Sequence, residues 1–230
     1  SFRSSFRSKF MKFCISSKRK YQFDKNKYIK GHQVEKYNDF INNVININSI
    51  PGELILHSQK KTKDSKNKLL GINPGASYGS AKRWYPEKFA DVAIDLSSQY
   101  DIIIFGGPDE KDIAKDIEKY LIEKGVENYK NLTAQITINE LITQISNLDL
   151  FITGDSGPMH LAAAFQIPTI AIFGPTKDNE TSQWMNKKSI IVKKNLECQP
   201  CMKRTCPLKH HNCMKLIESS EVLEAVNRLN

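Results

Sequence analysis

The spacing of apolar residues changes about a third of the way along the chain. From Leu69 onward, short β-branched runs alternate with stretches of helical period. LLGIN (69–73), DIIIFGG (101–107), LDLFITG (148–154), PTIAIFG (168–174) and SIIVKK (189–194) read as strands buried on both faces. Between and after them, residues 86–99, 109–125, 137–147, 157–165 and 219–229 carry the 3.6-residue period of helices. Their ends are marked. Pro86 suits a first helical turn and Gly125 a position just past a helix. Thr137-x-x-Glu140 is a capping-box signature, and Ser219 or Ser220 can cap the last helix. This alternation predicts a doubly wound parallel α/β sheet with helices on both faces. There is no internal repeat.

Residues 1–68 follow another pattern. Lys, Arg, Phe, Tyr and Asn dominate, only NDFINNVININ (38–48) reads as helical, and KKTKDSKNK (60–68) reads as a solvated linker. Charge divides at the same place. The chain carries 34 Lys+Arg and 25 Asp+Glu, a net +9. Residues 1–68 hold 16 and 5 of these, a net +11; residues 69–230 hold the other 18 and 20, a net −2. A composition 40% hydrophobic and 26% charged excludes wholesale disorder. No run approaches the ~18 apolar residues of a membrane span, and no secretory signal is visible. We expect two segments: 69–230 as a complete ligand-binding domain, and 1–68 as the remnant of a preceding domain truncated at its start. Sixty-eight residues fall short of the roughly 100–150 of an independent domain, and the chain starts at Ser1 rather than Met.

Ligands of open α/β sheets sit at the carboxyl ends of the strands, against helix N-termini. Three strand ends here combine glycine with polar residues: 73–86 with Lys82, 105–110, and TGDSGPMH (153–160) with Asp155, Ser156 and Gly157. Each alone has a plain structural reading as a turn, a helix cap or a packed His160. At one sheet edge they describe a nucleotide-diphosphate pocket with a cation and a helix dipole for phosphate.

Asn73–Ala76, Ala81–Trp84, the run Gly154–Ala164 and Phe173–Thr176 together resemble glycosyltransferase family 9, the family of the lipopolysaccharide heptosyltransferases. The resemblance covers essentially all of 69–230, and SFRSSFRSKF is similar to a segment late in the family's first domain. It implies a GT-B-type fold of two Rossmann-like domains, the second complete here and the first present as its C-terminal remnant. It also implies an inverting transferase that moves heptose from ADP-heptose to the lipopolysaccharide inner core. In that pattern Lys82, helped by Ser77, neutralises the diphosphate and stabilises the leaving group. Glu110 accepts from the ribose hydroxyls and Ile136 lies against adenine. Asp155 contacts the sugar, the Ser156 and Gly157 amides hold phosphate, and His160 supports the site. The family's general base is an Asp near the start of its first domain, for which this chain has no matching segment. It is therefore expected to bind donor but to lack the base. No cofactor and no metal are implied. The partners are the donor and an acidic lipopolysaccharide acceptor, met at the cytoplasmic face of the inner membrane by peripheral association.

Cys14 stands alone, whereas Cys198, Cys201, Cys206 and Cys213 cluster within sixteen residues. Cys198-x2-Cys201-x4-Cys206-x4-His211 approaches a zinc-knuckle spacing, with Cys213 as a further ligand. The segment also resembles a cysteine-rich stretch of the same family with no zinc requirement, so packed thiols are the preferred reading. Two alternatives remain. One is a basic nucleic-acid binder that stacks bases on Phe2, Phe6, Phe10, Phe13, Tyr21, Phe23 and Tyr28. The net −2 of residues 69–230 argues against nucleic acid as a partner. The other alternative is a nucleotide-sugar epimerase of the same architecture.

Overall fold

A computed structural model describes residues 1–3, 5–56 and 67–229. The predicted linker 60–68 lies outside these except for its last two residues, of which Lys68 opens the first strand. The chain divides into two compact units, Ser1–Glu53 with Asn179–Thr181, and Leu54–Asp178 with Ser182–Asn230.

The first unit contains α1 (Phe6–Cys14) and α2 (Gln33–Ile45). Helix α2 covers most of the one helix expected there. It starts in a capping box in which the His32 ring accepts from the Val34 N–H at 3.2 Å and the Glu35 carboxylate from the His32 N–H at 2.6 Å. Phe2, Phe23, Tyr28, Tyr37 and Phe40 form an edge-on and stacked aromatic cluster, with ring centroids 4.8–6.0 Å apart. Three of the proposed base-stacking residues are thus spent on packing, while Phe6, Phe10, Phe13 and Tyr21 are exposed.

The second unit is a six-stranded parallel sheet in the order β3-β2-β1-β4-β5-β6. Its strands are β1 (Lys68–Asn73), β2 (Tyr100–Ile104), β3 (Tyr129–Asn131), β4 (Leu150–Gly154), β5 (Thr169–Phe173) and β6 (Ser189–Lys193). Helices α3 (Pro86–Leu96), α4 (Lys111–Glu123), α5 (Ile138–Ser146), α6 (Gly157–Ala164), α7 (Asp178–Thr181), α8 (Asn212–Lys215) and α9 (Ser219–Leu229) complete the chain. The five expected strands are present. The sixth, β3, was not expected: it is three residues long and lies at the sheet edge, where its polar side chains leave no apolar signature.

Alternation along each strand builds two cores. Leu70, Ile72, Ile102, Ile104, Leu150 and Ile152 face α3, α4 and α9 with Trp84, Phe89, Ile117 and Val226. Their odd-numbered neighbours Ile103, Phe105 and Phe151 face the other way, with Ile145 and Ala162 of α5 and α6. Trp84 is buried and donates its indole N–H to the Ile217 carbonyl at 3.0 Å. Pro86 occupies the first turn of α3, Gly125 takes φ +71° past α4, and the Thr137–Glu140 capping box starts α5, as the sequence predicts.

Candidate donor site

Strand order reverses between β1 and β4, and ligands of doubly wound sheets bind at such a switch point. Asn73 at the end of β1 is buried and ties the two strand ends together. Its amide donates to the Ser156 hydroxyl at 3.2 Å and, more weakly, to Thr153 Oγ1 and the Gly75 carbonyl at 3.4 Å. The Thr153 and Ser156 hydroxyls are 3.1 Å apart. Ser156 precedes α6 without capping it through its side chain, and since Pro158 has no N–H, Gly157 and Met159 supply the first backbone donors of that helix.

A pocket of about 350 Å3 opens at this point. Ser77, Glu110, Ile136, Ser156 and Gly157 line it, which brings together five of the eight residues singled out in the sequence. Glu110 is fixed there by the Gly107 N–H, which donates to its carboxylate at 2.7 Å. The carboxylate lies so close to Gly75 that any Cβ at that position would overlap it. A larger hollow of about 820 Å3 lies beside α4 and β3, but it holds none of the eight residues and lies away from the switch point.

The other three residues stand outside the pocket lining. Lys82 and Asp155 form an ion pair of 2.5 Å between Lys82 Nζ and Asp155 Oδ2, with side chains only 12% and 6% exposed. The ammonium also donates to the Asp155 carbonyl at 3.3 Å and lies 4.7 Å from the centre of the Tyr78 ring. Thr176 donates to the same Asp155 Oδ2 at 2.6 Å. Asp155 directly precedes Ser156, so the pair borders the pocket through the chain itself. His160 is half-buried on α6. Asn73, Tyr78, Thr153 and Thr176 were given no role from sequence. Asn73 and Thr176 nevertheless sit inside the recognisable motifs, and that membership was the signal available.

The cysteine-rich segment packs on the loop that carries Lys82. The Cys213 thiol is pushed up to about 11 by burial, with a smaller contribution from neighbouring Cys201, Cys206 and Cys198. Burial, then the charges of Glu87 and the nearby cysteines, raise the Tyr85 phenol. Both ring nitrogens of His211 are engaged, Nε2 with the Ala81 carbonyl at 3.0 Å and Nδ1 with the Tyr85 hydroxyl at 3.2 Å. Among the described residues, no three His, Cys, Asp or Glu side chains are grouped to hold a metal ion.

A model of glycosyltransferase family 9 (heptosyltransferase) matches residues 2–212. The chain belongs to glycosyltransferase family 9. Within the family it is 45% identical to lipooligosaccharide heptosyltransferase 2 of Campylobacter jejuni, over 99% of this chain and 73% of that protein. Two solved structures share the fold. E. coli ADP-heptose lipopolysaccharide heptosyltransferase II superposes with a TM-score of 0.62 at 23% identity, over 85% of this chain. The chain spans about half (51%) of that structure. The E. coli glycosyltransferase TibC, described as iron-containing and dodecameric, gives 0.56 at 18% identity, over 79% of this chain and 50% of that one. At these identities the likeness is one of fold.

Proposed function

We propose that this chain supplies the ADP-heptose site of an inverting heptosyltransferase that builds the lipopolysaccharide inner core. The observation that carries this reading is the uncapped N-terminus of α6 at the β1/β4 switch point, facing a pocket that also holds Glu110 and Ile136. Adenine lies against Ile136, the ribose hydroxyls donate to Glu110, and the diphosphate spans the Ser156 and Gly157 amides. Ser77 is an exposed polar group of the same rim. Asp155 faces the sugar, and His160 supports it from α6.

In the transfer, an acceptor hydroxyl gives its proton to a base and attacks the anomeric carbon from the face opposite ADP. The bond from that carbon to the diphosphate oxygen breaks, and its electron pair stays on the oxygen. Lys82 and the α6 N–H groups stabilise the charge that develops there. Asp155 holds the ammonium in a nearly dry place, where its charge is screened little by water. This supply of positive charge needs no resident metal.

The test is a calorimetric titration of ADP. ADP is expected to bind the wild-type chain, and Lys82→Ala is expected to lose at least about tenfold in affinity, the worth of one charge-assisted hydrogen bond. Equal affinities would remove Lys82 from the donor site.

The acceptor belongs to the same proposal. It is an acidic glycolipid, and the net +11 of residues 1–68 suits it to peripheral association at the cytoplasmic face of the inner membrane. No helix among the described residues is long and apolar enough to cross a bilayer. Binding to anionic vesicles is expected to weaken as salt rises; binding that ignores salt would contradict it.

A further inference from the structure

We propose that His211 is a positioning residue for Lys82, acting through the backbone of Ala81; the inference rests on the donor-site reading of Lys82. The segment 199–211 grips Ala81 at both of its backbone groups. The Ala81 N–H donates to the Arg204 carbonyl at 3.0 Å, and the Ala81 carbonyl lies 3.0 Å from His211 Nε2. A carbonyl only accepts, so Nε2 carries the proton and donates. In the neutral ring Nδ1 is then an acceptor, and the Tyr85 hydroxyl donates to it across 3.2 Å. Ala81 is thereby held at both of its backbone groups, and the carbonyl bound by His211 is the one that opens the peptide bond to Lys82.

His211 is itself pinned. Its N–H donates to Cys206 Sγ at 3.4 Å, and its carbonyl accepts from the Met214 and Lys215 N–H groups at 3.0 and 2.9 Å. The ring therefore works from a fixed base. The same segment holds the opposite side of the ion pair. Gln199 donates from Nε2 to the Gly174 carbonyl at 2.7 Å, and the Met202 N–H to the Pro175 carbonyl at 2.9 Å. Thr176 follows Pro175 and donates to the carboxylate oxygen that receives Lys82. One strap thus fixes the residue before Lys82 and the residue before Thr176, with Asp155 between them. Tyr78 adds a third tie, donating its hydroxyl to the Met202 carbonyl at 2.8 Å while its ring lies beside Lys82.

A double-mutant cycle in ADP affinity on the whole chain decides the matter. His211→Ala is expected to weaken ADP binding about five- to tenfold, and by less than about twofold once Lys82 is Ala. His211→Gln, whose side-chain N–H can replace Nε2–H toward Ala81, is expected to recover affinity to within about twofold of wild type. Loss in Lys82→Ala without loss in His211→Ala overturns the positioning role and leaves the donor site standing. Equal loss from His211→Ala in both backgrounds also overturns it, because His211 would then act on the fold rather than on Lys82. No loss in Lys82→Ala overturns the donor-site reading itself. If His211→Ala does not fold, the decision passes to Tyr85→Phe, which deletes only the hydroxyl at Nδ1. A loss of about threefold that vanishes in the Lys82→Ala background supports the proposal, and unchanged affinity overturns it.

Discussion

Asp155 concentrates the chemistry of the site in one side chain. Its Oδ2 receives both the Lys82 ammonium and the Thr176 hydroxyl, and it is 6% exposed. An unpaired charge at that depth would be costly, so removing either partner leaves the other buried without compensation. The sequence showed Lys82 and Asp155 as separate loop residues, one assigned to diphosphate and one to sugar. That they meet is a tertiary fact, since seventy-odd residues separate them and only parallel pairing of β1 with β4 brings their loops together. Glu110 was singled out through the family resemblance. Its fit against Gly75 was not readable, because no local spacing reports which loop a glycine faces. His211 was read from sequence as a possible metal ligand, whereas in the fold its two nitrogens are taken by Ala81 and Tyr85.

At the scale of elements, signals that act within one turn were readable. The Thr137 capping box, Pro86 in the first turn of α3 and Gly125 past α4 each satisfy a local backbone need. Helix α1 was not read: Phe6, Phe10 and Phe13 recur at helical spacing along it, but basic residues interrupt the run and none of its side chains is buried. Helix α9 is held at its start by Glu221, whose carboxylate accepts from Lys194 Nζ at 2.7 Å and from the Glu218 N–H at 2.9 Å. Burial acts to raise this acid, but Lys194 and the Glu218 amide outweigh it, so it titrates below its ordinary 4.5. A depressed carboxylate contributes stability above its unfolded value and loses it as pH falls through the folded one. Glu221→Gln is therefore expected to lower unfolding stability at neutral pH, by less than about 1 kcal/mol for so exposed a pair. Denaturant melts should show the gap closing as the pH falls below 4.5. A gap that persisted in acid would mean that the carboxylate charge is not what anchors α9.

For the molecule as a whole, the net +9 is best read as two numbers. The excess of +11 lies in residues 1–68, and the sheet that carries the donor site belongs to the part with net −2. On the proposed reading, an anionic nucleotide is drawn to its pocket by local devices, a helix N-terminus and a paired lysine, rather than by bulk charge. The parallel-sheet architecture was legible because strands buried on both faces write themselves as continuous β-branched runs, whereas the strand order and its reversal between β1 and β4 are tertiary facts that no local run records. The most direct measurement is a crystal structure of the chain with ADP. The expected result places the diphosphate within hydrogen-bond reach of the Ser156 and Gly157 amides, adenine against Ile136 and the ribose on Glu110. ADP seated instead in the hollow between Lys111 and Tyr129, or anywhere away from the N-terminus of α6, would contradict the donor-site assignment.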